Sequence, residues 1–381
     1  MISLHVAFFA VVAVFSLDLV LLLGLIGLKT VHRRRVGNHD RRRTAYVALL
    51  SRHLAFEYHT DPITEEMATD EAFLDAVIDL RSTVAGPEVE KLALIANRYG
   101  LVERQTARLR SRFPLGRRLR AAVSLAEMGN TSSAQVLIEY LDDREPEIRI
   151  QSARGLGRMN HTPAIDHIVE RFSEETPWVR VRFADTLLGF ASNASWPLLA
   201  YIKVNHGSED VSGVVEAIRV LGTIGDREVG PQLAAVLDTA NDLEVRIAAI
   251  SALGSIGGPL IISSLLSAFH SDDWRAQAKA ATALGEIGDP SVLSELSSGL
   301  SSRSWWVRRN SAAALTRLPG GLKALYTALT FEDHFVRDAA AEALADAGEL
   351  VRARSLHEDG IAGHDELRLL SHMRGEEVVP A

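Results

Sequence analysis

One arrangement of apolar and polar positions returns along the second half of the chain. It reads EVRIAAISALGSIG at residues 244–257, AQAKAATALGEIG at 276–288 and FVRDAAAEALADAG at 335–348. With the Arg of the Val-Arg step as a marker, a small residue follows at the third position, Leu at the seventh and a turn residue at the eleventh. Markers in this register fall at Arg118, Arg149, Arg180, Val214, Arg246, Gln277, Arg308 and Arg337. The seventh position is Leu in every copy: Leu125, Leu156, Leu187, Leu221, Leu253, Leu284, Leu315 and Leu344. The third is small from Ala121 to Ala340, with Phe183 as the exception. The eleventh is Gly at Gly129, Gly225, Gly257, Gly288 and Gly348.

Apolar positions at this spacing share one stripe of a helix. The glycine supplies the left-handed conformation that ends it. Ahead of each marker lies a second apolar run, such as AQVLIEYL (134–141), QLAAVL (232–237) or VLSELSSGL (292–300). Each copy therefore predicts helix A, a short turn and helix B. A single hairpin cannot bury its own apolar face, so successive hairpins are expected to stack. The fold class expected is all-α: an α-solenoid with eight repeats over 115–348.

The flanks read differently. AYVALLSRHLAFEY (45–58), TEEMATDEAFLDAVIDLRSTV (64–84) and PEVEKLALIANRYG (87–100) have helical spacing without the template. Residues 44–114 are read as a helical cap or diverged repeats. Beyond Gly348 a short helix is expected at Glu349–Leu356, then HDELRLLSHM (364–373), so that 349–381 forms a C-terminal cap and mobile tail.

At the other end, residues 2–28 carry Asp18 as their one formal charge, and LHVAFFAVVAVFSLDLVLLLGLIGL is long enough to cross a bilayer as a helix. Lys29, Arg33, Arg34, Arg35, Arg41, Arg42 and Arg43 follow. Positive charge beside a membrane helix is kept on the cytoplasmic side. The reading is a transmembrane signal anchor at 1–28 and a basic juxtamembrane segment at 29–43. It places the N-terminus outside and the repeats in the cytoplasm, at the inner membrane. A cleaved signal peptide would begin with basic residues and carry a shorter apolar core, so the uncleaved anchor is preferred. Asp18 is a candidate contact with a partner's membrane helix, against the plainer reading of a tolerated polar residue. The six arginines are topogenic and are candidates to hold anionic lipid.

Composition sharpens this picture. Residues 1–43 hold seven Lys/Arg against two Asp, a balance of +5, which leaves −13 for the rest of a chain whose net charge is −8. So acidic a body argues against nucleic-acid binding, which works by neutralising phosphates. With no cysteine, disulfides, thiol nucleophiles and Cys-ligated metals are excluded. At 6% aromatic, the apolar content rests on aliphatic residues, which suits packed helices.

The repeat pattern resembles the HEAT-like repeats named for phycobilisome lyases, whose consensus runs Asp, Pro, Val-Arg, Ala and Leu-Gly. Leu141, Asp142, Asp143, Pro146, Ile148 and Arg149 carry the resemblance, as do Pro177, Val179 and Arg180. It implies that the marker Arg bonds the Asp or the carbonyls of adjacent turns as a ladder. That ladder should break at Val214 and Gln277. The whole chain is similar to bacterial membrane-anchored HEAT proteins, which implies a partner among membrane proteins or membrane enzymes such as glycosyltransferases.

Enzymes exist within the resemblance. Deoxyhypusine hydroxylase holds iron through His-Glu pairs on successive repeats, whereas here the one such pair is His357-Glu358 in the tail. A bilin-lyase-like or metal-dependent activity stays as the alternative function. His161, His167, His206, His270 and His334 form no metal-ligand spacing. Phosphate-loop and nucleophile-elbow motifs are missing as well. Acid pairs such as Asp142-Asp143 and Asp272-Asp273 sit where helix caps belong. No catalytic, metal or cofactor residue and no small-molecule substrate is assigned.

The candidate partner-binding residues are Trp178, Trp274, Trp305, Trp306 and Phe335, all two or three residues before a marker. Helix B usually lines the concave face of such stacks, so these rings should align along one edge and could anchor a protein. The competing reading is that they plug the A–B turn against the next repeat. That packing role is preferred for the row, with adjacent Trp305-Trp306 as its best exception, since one of the two should face outward. The function expected is a non-catalytic, membrane-tethered scaffold or adaptor.

Overall fold

The structure, a computed structural model, describes residues 36–55, 63–111 and 114–374, with Leu22, Leu25 and Lys29 as isolated helical positions ahead of them. Among the described residues no helix is long and apolar enough to cross a membrane. Apart from those isolated positions, the predicted anchor lies outside the described residues. So do Asp18, Arg33, Arg34 and Arg35, and the end of the predicted tail from residue 375.

The chain divides into two compact units, Met1–Met159 and Asn160–Ala381, where the sequence reads one array. The first contains α1 (residues 36–55), α2 (Glu65–Thr69), α3 (Glu71–Thr83), α4 (Pro87–Arg98), α5 (Leu101–Arg110), α6 (Leu115–Met128), α7 (Thr131–Glu139) and α8 (Pro146–Arg158). Gly86, at φ 67°, turns the chain into Pro87 at the start of α4, where a missing N–H costs nothing. Phe73 is fully buried between Tyr46 and Tyr99, with edge-to-face ring distances of 5.5 and 6.4 Å.

Helix α1 runs through the boundary expected at residue 43. Its basic residues face acidic ones on or just before α3: Arg42 meets Asp70 at 2.8 Å, Arg43 pairs with Asp79, and His39 meets Asp75 at 2.8 Å. Arg42 and Arg43, read as topogenic or lipid-facing, thus have carboxylate partners within the fold, and Arg41 is exposed.

The second unit repeats a helix A and a helix B. The A helices are α9 (Ile165–Glu170), followed by α10 (Pro177–Gly189) as its B helix. Then come α11 (Ser195–Asn205) with α12 (Ser212–Ile224), α13 (Gly230–Thr239) with α14 (Leu243–Ile256), and α15 (Ile262–Phe269) with α16 (Trp274–Ile287). After these follow α17 (Leu293–Gly299) with α18 (Trp305–Leu315) and α19 (Gly321–Ala328) with α20 (His334–Asp346). Helices α21 (Glu349–Glu358) and α22 (His364–Arg374) close it, with Leu369 and Leu370 buried and His372 2.9 Å from Asp338.

The predicted spine is present. All eight seventh-position leucines are 0% exposed, and so is Phe183, the large residue at a small position. The eleventh position is left-handed in two of the three copies where it is not Gly. Asn160 and Ala191, both at φ 50°, are the positive-φ non-Gly residues among those described, and they occupy that position in their repeats. In the Arg308 repeat, where Pro319 stands there, Gly320 takes the role one residue later at φ 82°.

Neighbouring B helices approach closely at one recurring pair of positions. These are the eighth residue of one repeat and the sixth of the next. A Cβ on Gly222 would lie 2.7 Å from the Ala252 Cα, on Gly254 2.9 Å from the Ala283 Cα, and on Gly285 2.7 Å from the Ala314 Cα. In the first unit Gly155 meets Ala126 in the same way. Leu188 and Thr316 replace the glycine in two repeats. There α10–α12 and α18–α20 pack less closely than α16–α18.

Candidate functional site

Helix B of each repeat starts at a sharp turn, and an Asp often caps it. The Asp273 carboxylate accepts from the Arg275 N–H at 2.8 Å, and Asp333 accepts from the Phe335 N–H at 2.8 Å. The Arg275 guanidinium, with backbone N–H groups, holds the Asp273 carboxyl down at about 2. Asp273 of the Asp272-Asp273 pair thus serves as a cap, whereas α8, with Glu145 at its N-cap, has no side-chain cap, and Asp143 accepts from the Glu145 N–H and pairs with Arg118.

The candidate aromatics occupy the first turn of these B helices, where no preceding turn covers them. Trp178, Trp274, Trp305, Trp306 and Phe335 are 45–51% exposed. Plugging the turn accounts for only about half of each ring. The row is also broken. Repeats α12 and α14 place Val211, Ser212, Leu243 and Glu244 at the corresponding positions, so two repeats separate Trp178 from the others.

The remaining four span the consecutive helices α16, α18 and α20. Trp305 and Trp306 pack edge-to-face at 4.7 Å. The Arg309 guanidinium lies 5.3 Å from the Trp305 ring, and that of Arg308 lies 4.9 Å from the Phe335 ring of the next repeat. These are cation–π distances, and the second ties two repeats together at the edge. Exposed Phe331 belongs to the same turn region. It stands six residues before its marker, outside the window that picked out the others. Exposed Trp196 lies on a helix A, off the helix-B register that the other rings share.

Beside the aromatic edge is a groove of about 260 Å³ between α18 and α20. Arg309 and Arg317 line one wall, Glu342 and Asp346 the other, over a floor that includes Ala313 and Ala343. Arg309 and Glu342 approach to 3.6 Å, each about half exposed. The first unit has its own groove of about 1080 Å³, lined by α1, α3, α5 and α6, in which Arg43–Asp79, His39–Asp75 and Arg108–Glu71 are already paired.

The marker residues bind their own A–B turn more than a neighbour's. Arg149 donates to the carbonyls of Asp143 (2.8 Å) and Arg144 (3.3 Å), Arg308 to those of Ser302 (2.8 Å) and Arg303 (3.1 Å), and Arg337 to those of Phe331 and Glu332 (2.7 Å each). Buried Arg180 donates to the Phe172 and Glu175 carbonyls at 2.7 and 2.8 Å. Arg118 reaches a carboxylate of the next repeat, Asp143. The expected break at Gln277 does not occur: its side-chain amide donates to the Ser271 carbonyl at 2.5 Å, the bond Arg308 makes to Ser302. At Val214 there is no donor, and the side chain is simply buried.

Among the described residues no cluster of His, Cys, Asp or Glu could hold a metal ion. His357 and Glu358 are exposed at the end of α21. His270 lies 3.0 Å from Glu295, and the His206 ring bonds the Lys203 carbonyl at 3.0 Å.

The model of the HEAT repeats matches residues 105–187, 198–275 and 262–345. No curated protein matches the chain. Similar solved structures include human deoxyhypusine hydroxylase in complex with glycerol, at 20% identity and TM-score 0.30, covering 69% of this chain and 99% of that one. An engineered protein is 21% identical at TM-score 0.38, covering 88% and 100%. A mutant of Kap121p is 12% identical at TM-score 0.40, covering 78% of this chain and 43% of that one. At these values the three likenesses carry no argument about function.

Proposed function

The chain belongs to the HEAT repeat family, and on that premise we propose that it is a non-catalytic scaffold, tethered to a membrane, that docks a protein partner on the aromatic edge of α16, α18 and α20. HEAT repeats commonly serve protein–protein interaction. The observation that carries the reading is the exposure of Trp274, Trp305, Trp306 and Phe335 side by side on consecutive repeats. Half-exposed Trp rings on a rigid scaffold are the side chains that most often dominate binding energy at an interface.

The tether rests on the apolar run at 2–28 and the arginines after it. Anchoring confines the docking surface near the bilayer and raises its effective concentration toward a membrane protein or membrane enzyme. The partner class we assign is therefore a membrane protein.

The test is cross-linked capture from intact membranes with the full chain, with Trp305→Ala/Trp306→Ala, and with the anchor exchanged for an unrelated membrane helix. Loss of a specific partner in the Trp variant, with far-UV circular dichroism unchanged, supports docking. An identical set of captured proteins in all three sinks it. Release of the full chain by alkaline carbonate would remove the tether from the reading.

A further inference from the structure

The stretch that carries the Trp pair is also an island of positive charge. Between Glu295 and Glu332 the chain holds Arg303, Arg308, Arg309, Arg317 and Lys323 and no carboxylate, within a body whose balance beyond residue 43 is −13. Arg308 is buried and spent on carbonyls of its own turn. Arg303, Arg309, Arg317 and Lys323 are exposed. Arg309 shares one 3.6 Å contact with Glu342, and an exposed pair of that kind is worth at most about 1 kcal/mol, so an incoming carboxylate can replace it. Arg317 has no ion-pair partner among the described residues.

The fold holds these cations beside open space. Gly222, Gly254 and Gly285 let their B helices close up; where Thr316 stands at the corresponding position, α18 and α20 pack less closely, and the groove of about 260 Å³ lies beside them. Trp305 fixes the Arg309 guanidinium at one end, and Arg317 lines the same groove in the turn after α18.

We propose that the exposed face of α18 binds an acidic peptide segment of the partner. Its carboxylates pair with Arg309 and Arg317, and an apolar or aromatic side chain packs on the Trp305-Trp306 edge. This rests on the scaffold reading and names the chemistry of its partner. A flat anionic bilayer fits less well, because Glu342 and Asp346 form the far wall of the same groove and would face the lipid charge. A single extended chain can enter the groove with its carboxylates toward α18 and its backbone N–H groups toward that wall.

The experiment titrates the full chain in zwitterionic nanodiscs with a Glu-rich peptide bearing one central Phe, and with its Gln counterpart, read by Trp fluorescence and calorimetry. The expected result is binding of the Glu peptide that weakens with salt, and at least ~10-fold loss with Arg309→Gln/Arg317→Gln. Arg219→Gln, which removes an exposed arginine paired with Glu216 on α12, should bind as wild type. Equal binding of the Glu and Gln peptides, or an unchanged constant in the double variant, overturns the proposal. So does binding of phosphatidylglycerol vesicles, lost in that variant, by a chain that ignores the peptide. The two readings separate in membrane capture. A partner lost with Trp305→Ala/Trp306→Ala but kept with Arg309→Gln/Arg317→Gln leaves the scaffold standing and removes the acidic segment.

Discussion

Replacing Gly285 by Ala tests the approach that sets the spacing of the B helices. A Cβ built there lies 2.6 Å from the Ala314 Cβ and 2.7 Å from its Cα. Comfortable carbon–carbon separation is ~3.5–4.0 Å, so α16 and α18 must part by about 1 Å. Overpacking of this size costs ~1–3 kcal/mol. Opposing it, Gly to Ala within a helix gains ~1 kcal/mol from propensity and unfolded-state entropy. Gly189, on α10, has nothing within 4 Å of its added Cβ and isolates that gain. The informative quantity is the difference between the two variants, about 1–3 kcal/mol, or ~2–12 °C in thermal midpoint for a unit of this size. Thermal and urea unfolding by circular dichroism read it, with Gly189→Ala above wild type and Gly285→Ala well below Gly189→Ala. Adding Ala314→Gly to Gly285→Ala should recover only part of the loss, because the α18 backbone at residue 314 still crowds the new methyl group. If Gly285→Ala gains as much as Gly189→Ala, the helices are not held at that distance and the contrast with the looser α18–α20 packing fails with it.

Other substitutions probe the turns. Ala191→Gly relieves a left-handed alanine at φ 50° and should raise stability by about 0.5–1 kcal/mol in urea unfolding. Arg180→Ala strands the Phe172 and Glu175 carbonyls and should cost ~2–4 kcal/mol in the same assay. Gln277→Arg can add the Asp272 carbonyl to the one it already holds at Ser271, as Arg308 and Arg337 do in their repeats, for a gain of ~0.5–1 kcal/mol. Asp273→Ala removes a cap at a cost of ~0.5–2 kcal/mol near neutral pH. The Asp273 carboxyl is depressed in the folded state to about 2, so its contribution is complete above the unfolded value near 4. The gap in thermal midpoint between wild type and Asp273→Ala should therefore close as pH falls from 4 through 2.

The repeat could be read from the sequence because three of its positions answer to strong, local physics. Leu at the seventh position has nowhere to go but the interior, and all eight are fully buried. The chain must turn with a positive φ at the eleventh position or just after it, and Gly marks the eleventh in five copies. Asn160 and Ala191 adopt the same conformation without the residue that announces it, so the turn geometry belongs to the hairpin and the glycine only lowers its strain. Less was legible where a residue's role depends on what the fold brings opposite. Arg42 and Arg43 carry the same sequence signal whether they face lipid or Asp70 and Asp79 on a helix still to come. Gln277 lacks the guanidinium that marks a ladder position in the sequence, yet the turn asks only for an N–H donor, which its side-chain amide supplies.

The candidate site follows the same division. Its aromatics could be found by register, because a repeat puts equivalent residues on one edge. Their exposure could not, since a first-turn Trp is equally able to seal the turn or stand clear of it. What separates α18 from its neighbours is a departure from the repeat at two levels at once. Thr316 stands where other copies have the close-packing glycine, α18 and α20 pack less closely, and from residue 296 to 331 the chain carries cations and no carboxylate. In an array whose stability is a sum over neighbouring interfaces, a copy that gives up close packing while its stretch carries unbalanced cations weakens its own seam. Such a loss is better explained by something that enters the seam than by the demands of stacking.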